Sequence, residues 1–174
     1  MDIYAFLSSR AITYQRFDHE AVFTCEQAKE IRWPTHLRQG FGGQVPGKDT
    51  KNLFLRDDKG KRHFLVVVGH EKKVDLKALK TILGTQKLSF ASPERLKEHL
   101  GVEPGSVTLL GLVHDQEKHA VEVFIDQAIW DAQAVCCHPL VNTATLCIPH
   151  EGIVKFLEAT GHQPKIILTP PKSE

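Results

Sequence analysis

Asn52-Leu53-Phe54-Leu55-Arg56, Asp57-Asp58-Lys59-Gly60 and His63-Phe64-Leu65-Val66-Val67-Val68 read in order as strand, turn and strand. The two apolar runs flank a turn cluster that ends on glycine, which is the signature of a β-hairpin. The second run is apolar without alternation, so it belongs in the middle of a sheet, covered on both faces. Downstream, Asp75 is placed to cap a helix whose Leu76, Leu79, Ile82 and Leu83 form one stripe, closed by Gly84. Ser92-Pro93-Glu94 opens another helix, stopped by Gly101. Val121, Val123 and Ile125 alternate as a strand, a helical turn follows over residues 127–130, and residues 134–137 are apolar. Residues 143–148 make a further strand. Pro149 opens a helix with Ile153, Phe156 and Leu157 inward, and residues 165–168 make a last strand.

Upstream of the hairpin, residues 2–7 read as a short helix with Ile3, Phe6 and Leu7 on one face, and residues 12–16 as a short strand. Thr24 caps a predicted helix over residues 25–31, which Pro34 ends. Residues 39–48 are glycine-rich and predict a mobile loop, and residues 170–174 a tail. Strands and helices alternate irregularly, with hairpins among them. The expected class is α/β (α+β), one compact domain over residues 1–174 with a mixed, curved sheet flanked by helices.

The composition narrows the function. With 22 Lys and Arg against 21 Asp and Glu, the net charge is +1. A chain that wraps nucleic acid broadly is strongly basic, so any RNA contact is local. The best candidate patch is Lys29 and Arg32, spaced to share a helix face, with Arg38 and Lys48 beyond them. No apolar run approaches the ~20 residues of a membrane helix, and the N-terminus lacks a basic region ahead of an apolar one. The expected compartment is the cytoplasm. Cys25, Cys136, Cys137 and Cys147 form no C-x-x-C pair, and reduced thiols are expected. The ten histidines show no metal-ligand spacing, so neither metal nor other cofactor is expected.

Four segments stand out in order: Lys51-Asn52-Leu53-Phe54-Leu55, Leu88-Ser89-Phe90-Ala91-Ser92, Pro104-Gly105-Ser106-Val107-Thr108, and His138-Pro139-Leu140-Val141-Asn142-Thr143-Ala144-Thr145. Read alone, Lys51 is an edge charge opening a strand, and His138 a polar group leaving a strand into a proline-stiffened loop. Together the four segments resemble the YbaK/prolyl-tRNA synthetase insertion-domain family, over about residues 17–167. Within it they are most similar to freestanding Ala-tRNA(Pro) deacylases. The resemblance implies a compact mixed α/β domain that edits tRNA in trans. Its partner would be the acceptor stem of an aminoacyl-tRNA, tRNA(Pro) in this branch, with prolyl-tRNA synthetase as a further partner.

The resemblance also implies the site. Lys51 matches the family's pocket lysine and His138 the histidine of the loop lining the aminoacyl pocket; these two are the catalytic candidates. Asn52, Phe90, Gly105, Ser106, Thr108, Pro139, Leu140 and Asn142 are the substrate-binding candidates. Leu109-Leu110-Gly111-Leu112 departs from the family's Pro-Phe-Gly-Leu, and residues 33–45 form a longer segment than usual.

The chemistry suits these residues. A synthetase pocket that admits proline cannot strongly reject alanine, because a missing methylene is worth only ~1–3 kcal/mol. A second, smaller sieve excludes proline by overlap, and Phe90, Leu140 and Val141 are its expected walls. The bond to be cut is an activated ester, so a held ribose, a positioned water and an oxyanion donor suffice. Lys51 supplies the cation, and His138 is expected to position substrate. Three alternatives stay open: a non-catalytic tRNA- or synthetase-binding module, a deacylase for another misacylated tRNA such as Cys-tRNA(Pro), and a thiol hydrolase built on Cys136 or Cys137.

Overall fold

A computed structural model describes residues 1–21 and 47–172. The predicted helix over residues 25–31 and most of the glycine-rich segment lie outside the described residues, as do Lys29, Arg32 and Arg38. In order, the described chain forms α1 (Ile3–Ser9), β1 (Gln15–Asp18), β2 (Lys48–Asp57), β3 (His63–Gly69), α2 (Leu76–Ile82), β4 (Leu88–Phe90) and α3 (Pro93–Leu100). A 3-10 helix (Leu109–His114), β5 (Val121–Asp126), α4 (Gln127–Trp130), β6 (Ala134–Cys137), β7 (Ala144–Pro149), α5 (His150–Thr160) and β8 (Lys165–Ile167) follow. The strands make one mixed sheet in the order β1-β7-β6-β2-β3-β5-β8, with β4 on β2. This is the mixed α/β domain the alternation of elements implies.

The hairpin forms as its residues dictate. The Asp57 carboxylate accepts from the N–H groups of Lys61 (2.8 Å) and Arg62 (3.1 Å), and Gly60 takes the left-handed φ of +65° that a side chain would resist. Those backbone bonds hold the Asp57 carboxyl below the ordinary carboxylate range, against the desolvation that would raise it. β3 is buried over its first six residues. Its odd and even side chains feed different packings. Leu65 and Val67 join the main core under α1, α3, the 3-10 helix and α5, while Phe64, Val66 and Val68 face Leu79 and Leu83 on the α2 side.

Side-chain caps set the helix starts. Asp2, Asp75 and Ser92 accept from backbone N–H groups of the first turn, and Gly101 at φ +66° ends α3. Gly111 lets the 3-10 helix approach α3 closely: a Cβ there would lie 2.9 Å from Cβ of Leu100.

The structure corrects several expectations. The strand expected at residues 12–16 is Gln15–Asp18, because α1 runs on to Ser9 and Ile12 folds back, its N–H bonding Leu7 O at 3.0 Å. Ile82 is exposed, since the short α2 meets the sheet through Leu79 and Leu83, with Leu76 partly buried beside them. β2 starts at Lys48, so the end of the expected mobile loop is sheet, and a Cβ on Gly47 would sit 3.0 Å from the Ala134 backbone. Residues 170–172 of the expected tail are tied back: Pro170 O accepts from Asp75 N–H, Pro171 bridges Val74, and Lys172 N–H bonds Lys73 O. Cys136 and Cys147, opposite one another in the β6–β7 register, form a disulfide in place of the expected reduced thiols. No helix among the described residues is long and apolar enough to cross a membrane.

Candidate active site at a break in the sheet

β2 is ten residues long and has two different neighbours on the edge away from β3. Its start pairs β6 in parallel, Lys48 with Val135 and Asp49 with Cys136. Its end pairs β4 antiparallel, from Leu55 with Phe90 to Asp57 with Leu88. Between these pairings, residues 50–54 have no strand partner on that edge among the described residues. The break is finished with single bonds: the Thr50 hydroxyl donates to Cys136 O at 2.8 Å, and Ala91 N–H donates to Phe54 O at 2.9 Å. Backbone direction alternates along a strand, so the residue whose N–H and C=O open on the middle of the break is Asn52.

The candidate residues gather at this break but on two faces. Lys51 is paired with Val68 and Asn52 with Val67, so their side chains leave opposite faces of the sheet. Lys51 shares its face with Asp49, Cys136 and, two residues along β6, His138. Continuing the β2–β6 register by two residues would set Lys51 beside His138, just where the strands part. Asn52 lies on the main-core face, where its Oδ1 is buried without a hydrogen-bond partner. A buried acceptor without a donor is costly unless a ligand supplies one.

His138 is held from two sides. Its Nδ1 lies 3.0 Å from Ala144 O, and a carbonyl only accepts, so Nδ1 carries the proton and the neutral ring keeps its lone pair on Nε2. Burial lowers its pKa, against the raising pull of the Ala144 bond and of Asp49. The His19 ring lies 6.1 Å from it and is itself 3.0 Å from the Thr145 hydroxyl. Pro139 is buried, and Leu140 turns the chain at a left-handed φ of +67° and packs against the main core. A non-glycine residue in that region is uncommon and marks an over-determined turn.

The remaining candidates divide. Thr108 is fully buried, and its hydroxyl donates to His138 O at 2.7 Å while accepting from Leu110 N–H at 3.3 Å. It holds the histidine loop, and its one donor is used on the His138 carbonyl. Ser106 is buried beside it and Gly105 turns at φ +90°. Phe90 and Val141, expected as sieve walls, are exposed at the rim, 60% and 46% respectively, because β4 is a three-residue edge strand and Val141 tips a turn. Leu140 is the one of the three that packs inward. Asn142 is half-buried, and Lys48 is exposed at the start of β2.

Sequence reading missed Asp49. It precedes Lys51 by two residues and so shares its face, a signal available from strand period alone. Its carboxylate and the Lys51 ammonium have no hydrogen-bond or ion-pair partner among the described residues. Elsewhere the acids are matched: Asp115 by His162, Glu122 by Arg62, and Asp126 by Lys72. Crowding desolvates and raises the Asp49 carboxyl, while His70 and His138 pull it down. Cys137 is buried with its thiol pushed up to about 12, and Cys136 is in the disulfide, so neither sulfur is a ready nucleophile. Among the described residues no group of three His, Cys, Asp or Glu side chains could hold a metal ion.

The model of the aminoacyl-tRNA editing domain family matches residues 19–156, which takes in the break and every candidate site residue. The chain belongs to the aminoacyl-tRNA editing domain family. It is 35% identical over 167 residues to the prolyl-tRNA editing protein ProX of Acetoanaerobium sticklandii, covering 95% of this chain and 94% of that protein. It is 33% identical over 165 residues to the prolyl-tRNA synthetase associated domain-containing protein 1 of Mus musculus, covering 92% and 90%. A solved structure assigned as a candidate trans-editing enzyme for prolyl tRNA synthetase shares the fold with a TM-score of 0.66, at 19% identity over 99% of this chain and 96% of the other. Each of these matches covers nine-tenths or more of both chains, so it takes in the strands on both sides of the break.

Proposed function

We propose that this editing domain is a freestanding deacylase that hydrolyses the ester of Ala-tRNA(Pro) after release from prolyl-tRNA synthetase, in the cytoplasm. The observation that carries the reading is the break itself. An open strand edge carries an unpartnered ammonium at Lys51 beside the neutral imidazole of His138 on one face, and an unpartnered acceptor at Asn52 on the other. The CCA end of a tRNA is a flexible single strand that can enter such an opening. Lys48 at the mouth, with Lys29, Arg32 and Arg38, would meet the acceptor stem.

In this reading water attacks the ester carbonyl, the bond to the ribose oxygen breaks, and alanine and uncharged tRNA leave. Lys51 stabilises the negative charge that develops on the carbonyl oxygen. The Nε2 lone pair of His138 accepts a hydrogen bond from the attacking water and can take its proton, which adds to the positioning role expected from sequence. The proton returned to the ribose oxygen completes the exchange. Leu140 and the buried Pro139 close the space available to the amino-acid side chain. Proline, whose ring is locked to its own nitrogen, is excluded by overlap.

A panel of tRNAs mischarged with alanine, cysteine, serine and proline, each incubated with the pure chain, tests this. Loss of the alanyl group ahead of the others is expected. Preference for the cysteinyl ester would move the specificity. Tight tRNA binding with no loss of any aminoacyl group would make the chain a binding module.

A further inference from the structure

We infer that Asp49 is the anionic contact for the α-ammonium of the aminoacyl group, so that this site reads the free amine of its substrate as well as its side chain. The inference rests on the deacylase reading above. An aminoacyl ester differs from an ordinary ester in carrying a cation one atom away from the carbonyl carbon. A site that bound it with Lys51 alone would set two positive charges together. Asp49 supplies the compensating charge from the adjacent same-face position of β2, two residues or about 6.6 Å along the strand.

The surroundings leave Asp49 available for this. It has no hydrogen-bond or ion-pair partner among the described residues, and the groups that act on its carboxyl are His70, His138 and Glu71. Its β6 neighbour Cys136 is occupied with Cys147, and the backbone around it is fixed, Asp49 O accepting from His70 N–H at 3.0 Å. It is exposed, so a ligand can reach it. An exposed acid held beside a break, with no hydrogen-bond or ion-pair partner among the described residues, is what a cation-binding position looks like before its ligand arrives.

The test replaces the amine and nothing else. Deamination of Ala-tRNA(Pro) gives lactyl-tRNA(Pro), in which a neutral hydroxyl stands where the ammonium was. Single-turnover hydrolysis of both esters, corrected for spontaneous loss, is measured for the wild-type chain, Asp49→Asn and Asp49→Glu. Taking the ratio of variant to wild type on each ester cancels their different intrinsic reactivities. A charged hydrogen bond predicts that Asp49→Asn costs the alanyl ester roughly 10-fold or more beyond what it costs the lactyl ester. Asp49→Glu should restore part of that difference. Equal losses on the two esters, or no loss on either, would overturn the inference while leaving the deacylase reading standing. A wild-type chain that hydrolyses neither ester would overturn both.

Discussion

Thr108 donates its hydroxyl to the backbone carbonyl of His138 at 2.7 Å, tying the loop before the 3-10 helix to the end of β6. The bond spans thirty residues and is part-buried, with Thr108 itself fully buried. Thr108→Val keeps the shape and removes the donor, leaving a carbonyl unpaired at a cost of about 1–3 kcal/mol. Expected are a lower urea midpoint and slower turnover together, because the His138 loop loses its anchor. An unaltered midpoint with unaltered turnover would show that the loop is held otherwise.

Lys51→Ala should separate chemistry from stability. The side chain is half-buried and unpartnered, so its removal opens no core cavity. Loss of a single charge-stabilising group at a reacting oxygen costs roughly 100- to 1000-fold in turnover. Single-turnover rates and thermal melting measure the two effects. Near-normal rates would return Lys51 to an edge charge.

The acid side of the rate profile should report His138. Burial lowers its pKa, and the useful form is the neutral one. The imidazole therefore stays competent to a lower pH than a free histidine would, and the acid limb of kcat/KM should fall below the ordinary imidazole value of about 6.5. A limb above that value would exclude a buried neutral His138 as the controlling group.

A second histidine governs stability instead. His63 is buried against His99 with rings 4.1 Å apart, and its Nε2 lies 2.7 Å from Arg95 Nη1, whose N–H can only donate. Desolvation first, then the neighbouring His99 and Arg95, lower its pKa to about 4. Its folded value lies below its unfolded one, so its contribution is full above pH 6.5 and is lost as pH falls from there toward 4. Urea midpoints across that window should decline, and His63→Phe should flatten the decline. An identical slope in the variant would assign the acid sensitivity elsewhere.

Much of this was legible in the sequence because strand and helix periods write themselves locally. The Asn52–Val68 hairpin, the caps at Asp75 and Ser92 and the stop at Gly101 need only neighbouring residues to be read. The break in the sheet could not be read that way. It arises because β2 pairs with Val135 and Cys136 at one end and with residues 88–90 at the other, partners chosen by tertiary packing. The same limit hid the Cys136–Cys147 pair, which adjoins only through the β6–β7 register, and the bond by which Thr108 holds the His138 loop. Phe90 reads as a wall by its apolarity, and only its place on a short edge strand shows it to be rim.

The central claim is that the break discriminates a small aminoacyl ester from a prolyl one. Single-turnover hydrolysis of alanyl and prolyl esters on the same tRNA(Pro) tests it most directly. The account predicts fast loss of alanine with the prolyl ester surviving at its spontaneous rate. Equal rates for the two esters would contradict it.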